Sequence, residues 1–182
     1  MGWKDFFKKK GTPTPDPLTD LVLPNLQVGN FVDYDMKTWE VKAYHYYDWG
    51  SGDLTFEWQL TSHDEILFLE REPDDEDYWS VSQKIPINRL NPGFKDRILA
   101  HENSPDTLEF EGTVYYLEET GAGHFHKNGE ETAKEILKWD YMDESGKKLL
   151  SIEQWGEADF EASVGKPVEE YQFINILPGK DG

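Results

Sequence analysis

No cysteine occurs in the 182 residues. Disulfides, thiolate metal sites and cysteine nucleophiles are therefore excluded. Basic residues are scarce: 18 Lys and Arg stand against 37 Asp and Glu, for a formal net charge of −19. Contacts to phosphate backbones need cations in excess, so nucleic acid is not an expected partner. A field of this sign favours cationic partners and keeps a chain soluble. No run approaches the roughly 18 apolar residues of a membrane-crossing helix. The first residues lack the apolar stretch of a secretory leader, which makes the cytoplasm the expected location. Aromatic residues are abundant, with 7 Trp, 9 Tyr and 10 Phe. They can fill a core despite the high charge.

The second half of the chain repeats the pattern of the first. Phe56-Glu57-Trp58-Gln59-Leu60 leads into Glu65–Glu70, then an acidic stretch, then Tyr78-Trp79-Ser80-Val81. Leu137-Lys138-Trp139-Asp140-Tyr141 leads into Lys148–Glu153, then Glu157-Ala158-Asp159, then Phe160–Val164. Upstream, Tyr34–Val41 has its counterpart in Phe110–Leu117. Superposition is expected to place Trp58 over Trp139 and Leu69 over Ile152.

Apolar and polar residues alternate along these segments with the period of half-buried strands. Strands spaced at intervals of about 8–12 residues, with turn signals between them, read as an antiparallel sandwich or barrel. The expected fold is all-β: two tandem pseudo-symmetric β-meanders, residues 28–86 and 107–176, forming one sandwich or barrel-like domain over 27–177. Pro92–His101 reads as a short linking helix, with Phe94, Ile98 and Leu99 toward the core. In the second meander, strands are expected at 114–119 and, separately, at 124–126. Residues 11–26 form a Pro-rich linker and an entry segment that lies against the domain, and residues 178–182 a tail.

Residues 1–10 differ in character. Trp3, Phe6 and Phe7 share one face of a helix, flanked by Lys4, Lys8, Lys9 and Lys10. Such a segment suits weak peripheral contact with the inner face of an anionic membrane.

Val28–Tyr34, Phe56–Leu60 and Leu149–Gly156 carry a resemblance. On these residues the chain resembles the bacterial DUF4178 family, a domain of unknown function, over roughly 27–177. The resemblance brings no catalytic residues. It implies a genomic context near membrane-stress proteins of the phage-shock type and polyamine-synthesis enzymes.

Several residues are candidates for chemistry. His124 and His126, two apart on a strand, share a face and with His45 could hold a metal. Satisfied or surface histidines are the simpler reading. Glu57 and Glu153 each sit beside core aromatics, and two carboxylates can act as general acid and base. Alternation turns Glu57 away from Trp58, toward solvent. Gly121-Ala122-Gly123 lacks the strand-to-helix context of a dinucleotide fingerprint. Tyr44-His45-Tyr46-Tyr47-Asp48-Trp49 places rings on both faces of one strand, with Tyr44 and Tyr46 on one and His45 and Tyr47 on the other. A core needs only one ring-bearing face. Tyr44, Tyr46, Tyr47, Asp48 and Trp49 are therefore candidates for a binding surface suited to a cation or peptide.

The expected role is a non-enzymatic binding or adaptor module, without cofactor, for a protein or small cationic ligand. The alternative is a metal-dependent hydrolase using His45, His124 and His126.

Overall fold

The computed structural model describes residues 16, 20–91, 93–101 and 103–179. The basic aromatic segment with Trp3, Phe6, Phe7, Lys8 and Lys9 lies outside the described residues.

A meander of five antiparallel strands comes first: β1 (Phe31–Tyr34), β2 (Lys37–Gly50), β3 (Asp53–Ser62), β4 (Glu65–Glu72) and β5 (Tyr78–Ile85). After the helix α1 (Phe94–His101), a second follows with the same order: β6 (Thr107–Phe110), β7 (Thr113–His126), β8 (Ala133–Asp143), β9 (Leu149–Gln154) and β10 (Phe160–Val168). A last strand, β11 (Ile174–Leu177), returns to pair with β1.

The two meanders match in register. Trp58 faces Leu69 across β3–β4, and Trp139 faces Ile152 across β8–β9. Val32 faces Trp39 across β1–β2, and Leu108 faces Tyr115 across β6–β7. Both opening hairpins turn on two residues of positive φ, Asp35-Met36 and Glu111-Gly112, as a tight hairpin with right-handed strand twist requires. Each long strand carries an irregularity at the same place, between Val41 and Ala43 in β2 and between Leu117 and Glu119 in β7. A bulge there bends the strand, so that its first half pairs with the short β1 or β6 and its second half is free for another partner.

That partner is the other meander. β5 pairs with β10, and the ends of β2 and β7 pair through Tyr46–His126, Tyr47–Phe125 and Asp48–His124. The circuit β2-β3-β4-β5-β10-β9-β8-β7 therefore closes into an eight-stranded antiparallel barrel. Closure removes the edges that each meander alone would expose.

The apolar face of the barrel wall points outward and is covered twice. Trp58, Leu60, Leu69, Trp79 and Val81 pack with Val32, Tyr34, Leu23, Leu26 and Phe173. The entry segment thus lies against the domain at Leu23 and Leu26, where the Leu26 carbonyl accepts from Trp58 Nε1 at 2.9 Å. Trp139, Tyr141, Leu150 and Ile152 pack with Leu108 and Phe110 of β6 and with Phe94 and Ile98 of α1. Leu99 does not join them; it is 46% exposed. The strand expected in two pieces is one, because residues 120–123 stay paired to β8 throughout.

Candidate functional site

With the Trp58 face outward, the opposite face lines the lumen. Glu57, expected to face solvent, faces that lumen and is 7% exposed. Alternation does turn it from Trp58, but closure covers the face it turns to.

The lumen is charged. Glu57 stands directly opposite Glu70 in β3–β4, and Lys138 opposite Glu153 in β8–β9. Each of the four sits next to a buried core residue: Trp58, Leu69, Trp139 and Ile152 respectively. Lys138 is 4% exposed. Its Nζ crosses the barrel to Glu70 Oε2 at 3.1 Å and lies 3.5 Å from Asp140 Oδ1. Tyr47 enters from β2, with its hydroxyl 3.0 Å from Glu153 Oε1 and 3.3 Å from Glu57 Oε2. The ammonium of Lys138 lies 5.6 Å from the centre of the Tyr47 ring.

These groups shift one another's titration. Burial, then the fields of Glu70 and Glu153, push the Glu57 carboxyl well above the usual carboxylate range. Burial raises Glu153 to about 7, against the field of Lys138 and the hydrogen bond from Tyr47. Burial and the carboxylates Glu153, Glu57 and Glu70 hold the Tyr47 phenol well above its ordinary value. Burial opposes the charge of Lys138, but Asp140, Glu70, Glu153 and Glu72 outweigh it and keep the ammonium well above the usual lysine range.

One end of the lumen is stopped by rings. Trp49 stacks on Tyr47 with centroids 5.5 Å apart, and Phe125 tilts against Tyr47 at 5.1 Å. Trp155 meets Phe125 edge-on at 4.9 Å. Gly121 and Gly123 make room for this plug. A Cβ on Gly121 would lie 3.0 Å from Trp49, and one on Gly123 would lie 2.8 Å from it and 2.5 Å from the Asp48 carbonyl oxygen. The glycine pair of the sequence thus serves packing. At the far end, beside Glu57, Glu70 and Glu153, remains a cavity of about 10 Å³, close to the room one water needs. A sugar or peptide substrate does not fit between the two carboxylates.

Above the plug, at the barrel mouth, opens a groove of about 850 Å³. That volume lies within the roughly 300–1,000 Å³ of small-ligand sites. Its walls include Trp49, Trp155, Ile136 and Leu137, with Asp48, His124 and Glu135. The last three form a row across β2, β7 and β8, each directly opposite the next. Opposed residues of paired strands share a face, so His124 is flanked by carboxylates on both sides. Lys134 lies 5.1 Å from the centre of the Trp155 ring.

Of the aromatic stretch read as a binding surface, Asp48 and Trp49 line this groove. Tyr47 belongs to the lumen. Tyr44 packs on Phe56 and Trp58, and Tyr46 stacks on His126 at 4.2 Å. The three histidines do not converge. His45 faces inward against Phe125 and accepts from the Asn128 amide at 3.0 Å, while His126 faces outward against Tyr46. Burial, then Lys127 and Lys84, hold the His45 imidazole below its ordinary value, which suits the neutral acceptor this bond needs. Among the described residues no group of three His, Cys, Asp or Glu is placed to hold a metal. Nor is any described helix long and apolar enough to cross a membrane.

Sequence reasoning missed Glu70, Lys138, Glu135 and Trp155. For the first two a signal existed: in all four central strands a charged residue adjoins the core residue, where solvated faces more often vary. Glu135 and Trp155 carry no such mark, since they meet Asp48 only through barrel closure.

Comparison with known proteins places this chain in a family. Residues 27–170 match the family model of DUF4178, a domain of unknown function, and the chain belongs to that family. An uncharacterized protein of Aquifex aeolicus (strain VF5) is 26% identical over 175 residues, covering 96% of each chain. No solved structure matches.

Proposed function

We propose that this member of the DUF4178 family is a non-enzymatic binding module whose barrel-mouth groove takes a cationic ligand. The observation that carries the reading is a groove lined both by the indoles of Trp49 and Trp155 and by the carboxylate residues Asp48 and Glu135. An ammonium or guanidinium seats on an indole face and is held by carboxylates beside it. Lys134 already lies in this way over Trp155. The net charge of −19 draws cations toward the site.

A basic protein segment suits the groove better than a free amine. Trp155 carries a buried indole N–H with no hydrogen-bond partner. Once the ring turns toward the groove, a peptide offers that donor a carbonyl as well as a cation, whereas a polyamine offers only cations. Isothermal titration against Lys- and Arg-containing peptides and against spermidine tests the reading. Binding that weakens with salt and falls at least tenfold in Trp155→Ala and Glu135→Gln is expected. Absence of binding to all of them at millimolar concentration defeats it.

A further inference from the structure

The lumen holds more carboxylates than it holds cations to neutralise them. Glu57 and Glu70 are directly opposed like groups, a destabilising arrangement when both are ionised. The ammonium of Lys138 is taken up by Glu70 and Asp140. Lys84 of β5 lines the small cavity with Glu57 and Glu153 and its field opposes their upward shift, but its ammonium is paired with Glu161 of β10. Glu72 of β4 adds a further carboxylate to the field at Lys138. From β2 the neutral His45 supplies no charge, and at this level β7 presents Phe125, Gly121 and Gly123. Glu57 is thus left with Tyr47 as its hydrogen-bond partner.

Tyr47 has one hydrogen and two carboxyl neighbours. Donated to Glu153 at the shorter distance of 3.0 Å, that hydrogen leaves only the phenol oxygen facing Glu57 at 3.3 Å. Two oxygens at that distance attract only with a hydrogen between them. We propose that the barrel lumen is a proton-binding site, in which a neutral Glu57 acid donates to Tyr47 and Tyr47 donates to Glu153. The raised titration of Glu57 agrees with this arrangement.

The site is connected to the groove. The Tyr47 ring stacks on Trp49 with an angle of 2° between planes, and Trp49 is a groove wall whose Nε1 donates to Thr55 Oγ1 at 2.9 Å. Loss of the lumen proton breaks the Glu57–Tyr47 bond, and the ring that bears on Trp49 shifts with it.

The test is a pH titration by NMR of the full chain with glutamate side-chain carboxyl carbons labelled. It is done in a Glu72→Gln background, because burial also raises Glu72 to about 7. It needs no groove ligand, so its outcome stands apart from that of the binding experiment. At neutral pH, beside the half-titrated Glu153, one carboxyl carbon is expected fully in the protonated range, and Glu57→Gln removes it. The Trp49 indole N–H resonance is expected to move with the same midpoint, and to stay still in Tyr47→Phe. A spectrum in which every glutamate is ionised at neutral pH overturns the proposal, with or without the variants. A Trp49 resonance that ignores the titration overturns the coupling.

Discussion

The Tyr47 hydroxyl reaches Glu153 across the barrel at 3.0 Å, although the two residues lie 106 positions apart. Tyr47 belongs to the first meander and Glu153 to the second. Their contact is therefore made only when the circuit closes, and it marks closure as the event that creates both the charged lumen and the groove above it.

Stability is expected to fall as pH rises through neutrality. The folded-state value of Glu153, about 7, lies above its ordinary 4.5. The folded chain then holds a proton that the unfolded chain has released, so the stabilisation is full below about 4.5 and is lost as pH climbs to 7. Glu57 is shifted in the same direction and adds to the decline. Glu153→Gln should flatten the profile, and at alkaline pH it should exceed the wild type by up to about 3 kcal/mol, at about 1.4 kcal/mol per pKa unit. Urea unfolding at a series of pH values measures it. A wild-type profile that rises over this window would contradict the assignment.

Lys138 is the cation the lumen depends on. Lys138→Met leaves Glu70 without its partner in a buried site, a change that typically costs about 3–5 kcal/mol. Adding Glu70→Gln should recover a large part of the loss, since the two residues are in contact and their effects are not additive. The loss should persist at high salt, because buried pairs escape screening. A double-variant loss equal to the sum of the losses in Lys138→Met and Glu70→Gln alone would show that the pair is not coupled.

Much of the wall was legible in the residues and the closure was not. Trp58, Leu69, Trp139 and Ile152 announce themselves by alternation, and their register is as that pattern implies. Alternation also says that Glu57 faces away from Trp58; it cannot say what covers that side. The cover is a seam of three residue pairs between Tyr46–Asp48 and His124–His126. Nothing local marks these residues as partners, since a seam is a property of strand bend and barrel circumference. His45 and His126 look like neighbours in a ligand set until the wall is seen to pass between them.

The outward cores should be equally dependent on their tryptophans. Trp58 and Trp139 are each 2% exposed and occupy corresponding places in the two meanders. Truncating either to Ala should cost about 3–5 kcal/mol, as for large buried aromatics elsewhere. Trp58→Ala also strands the Leu26 carbonyl that its indole satisfies, so it should be the more costly of the two. Chemical denaturation of both variants decides the order. A loss below about 1 kcal/mol at either site is the range of surface substitutions and would place that ring outside the core.

Gly123 should tolerate nothing larger than hydrogen. A Cβ there would lie 2.5 Å from the Asp48 carbonyl oxygen and 2.8 Å from Trp49 Cε3. The oxygen belongs to the backbone of β2 where it pairs with β7, so it can retreat only by opening the seam that closes the barrel. Gly121 makes the instructive control. Its Cβ would touch Trp49 alone, at 3.0 Å from the outer edge of the indole, and a side chain can tilt where a paired strand cannot. Gly121→Ala should therefore cost little and displace Trp49 within the groove, seen as a moved indole resonance. Gly123→Ala should cost at least the 1–3 kcal/mol typical of overpacking. It should also speed amide hydrogen exchange at Tyr46–Asp48 and His124–His126, the six residues of the seam. Faster exchange confined to other strands, or two alanine variants of equal stability, would mean that the glycines are not what lets the barrel close over Trp49.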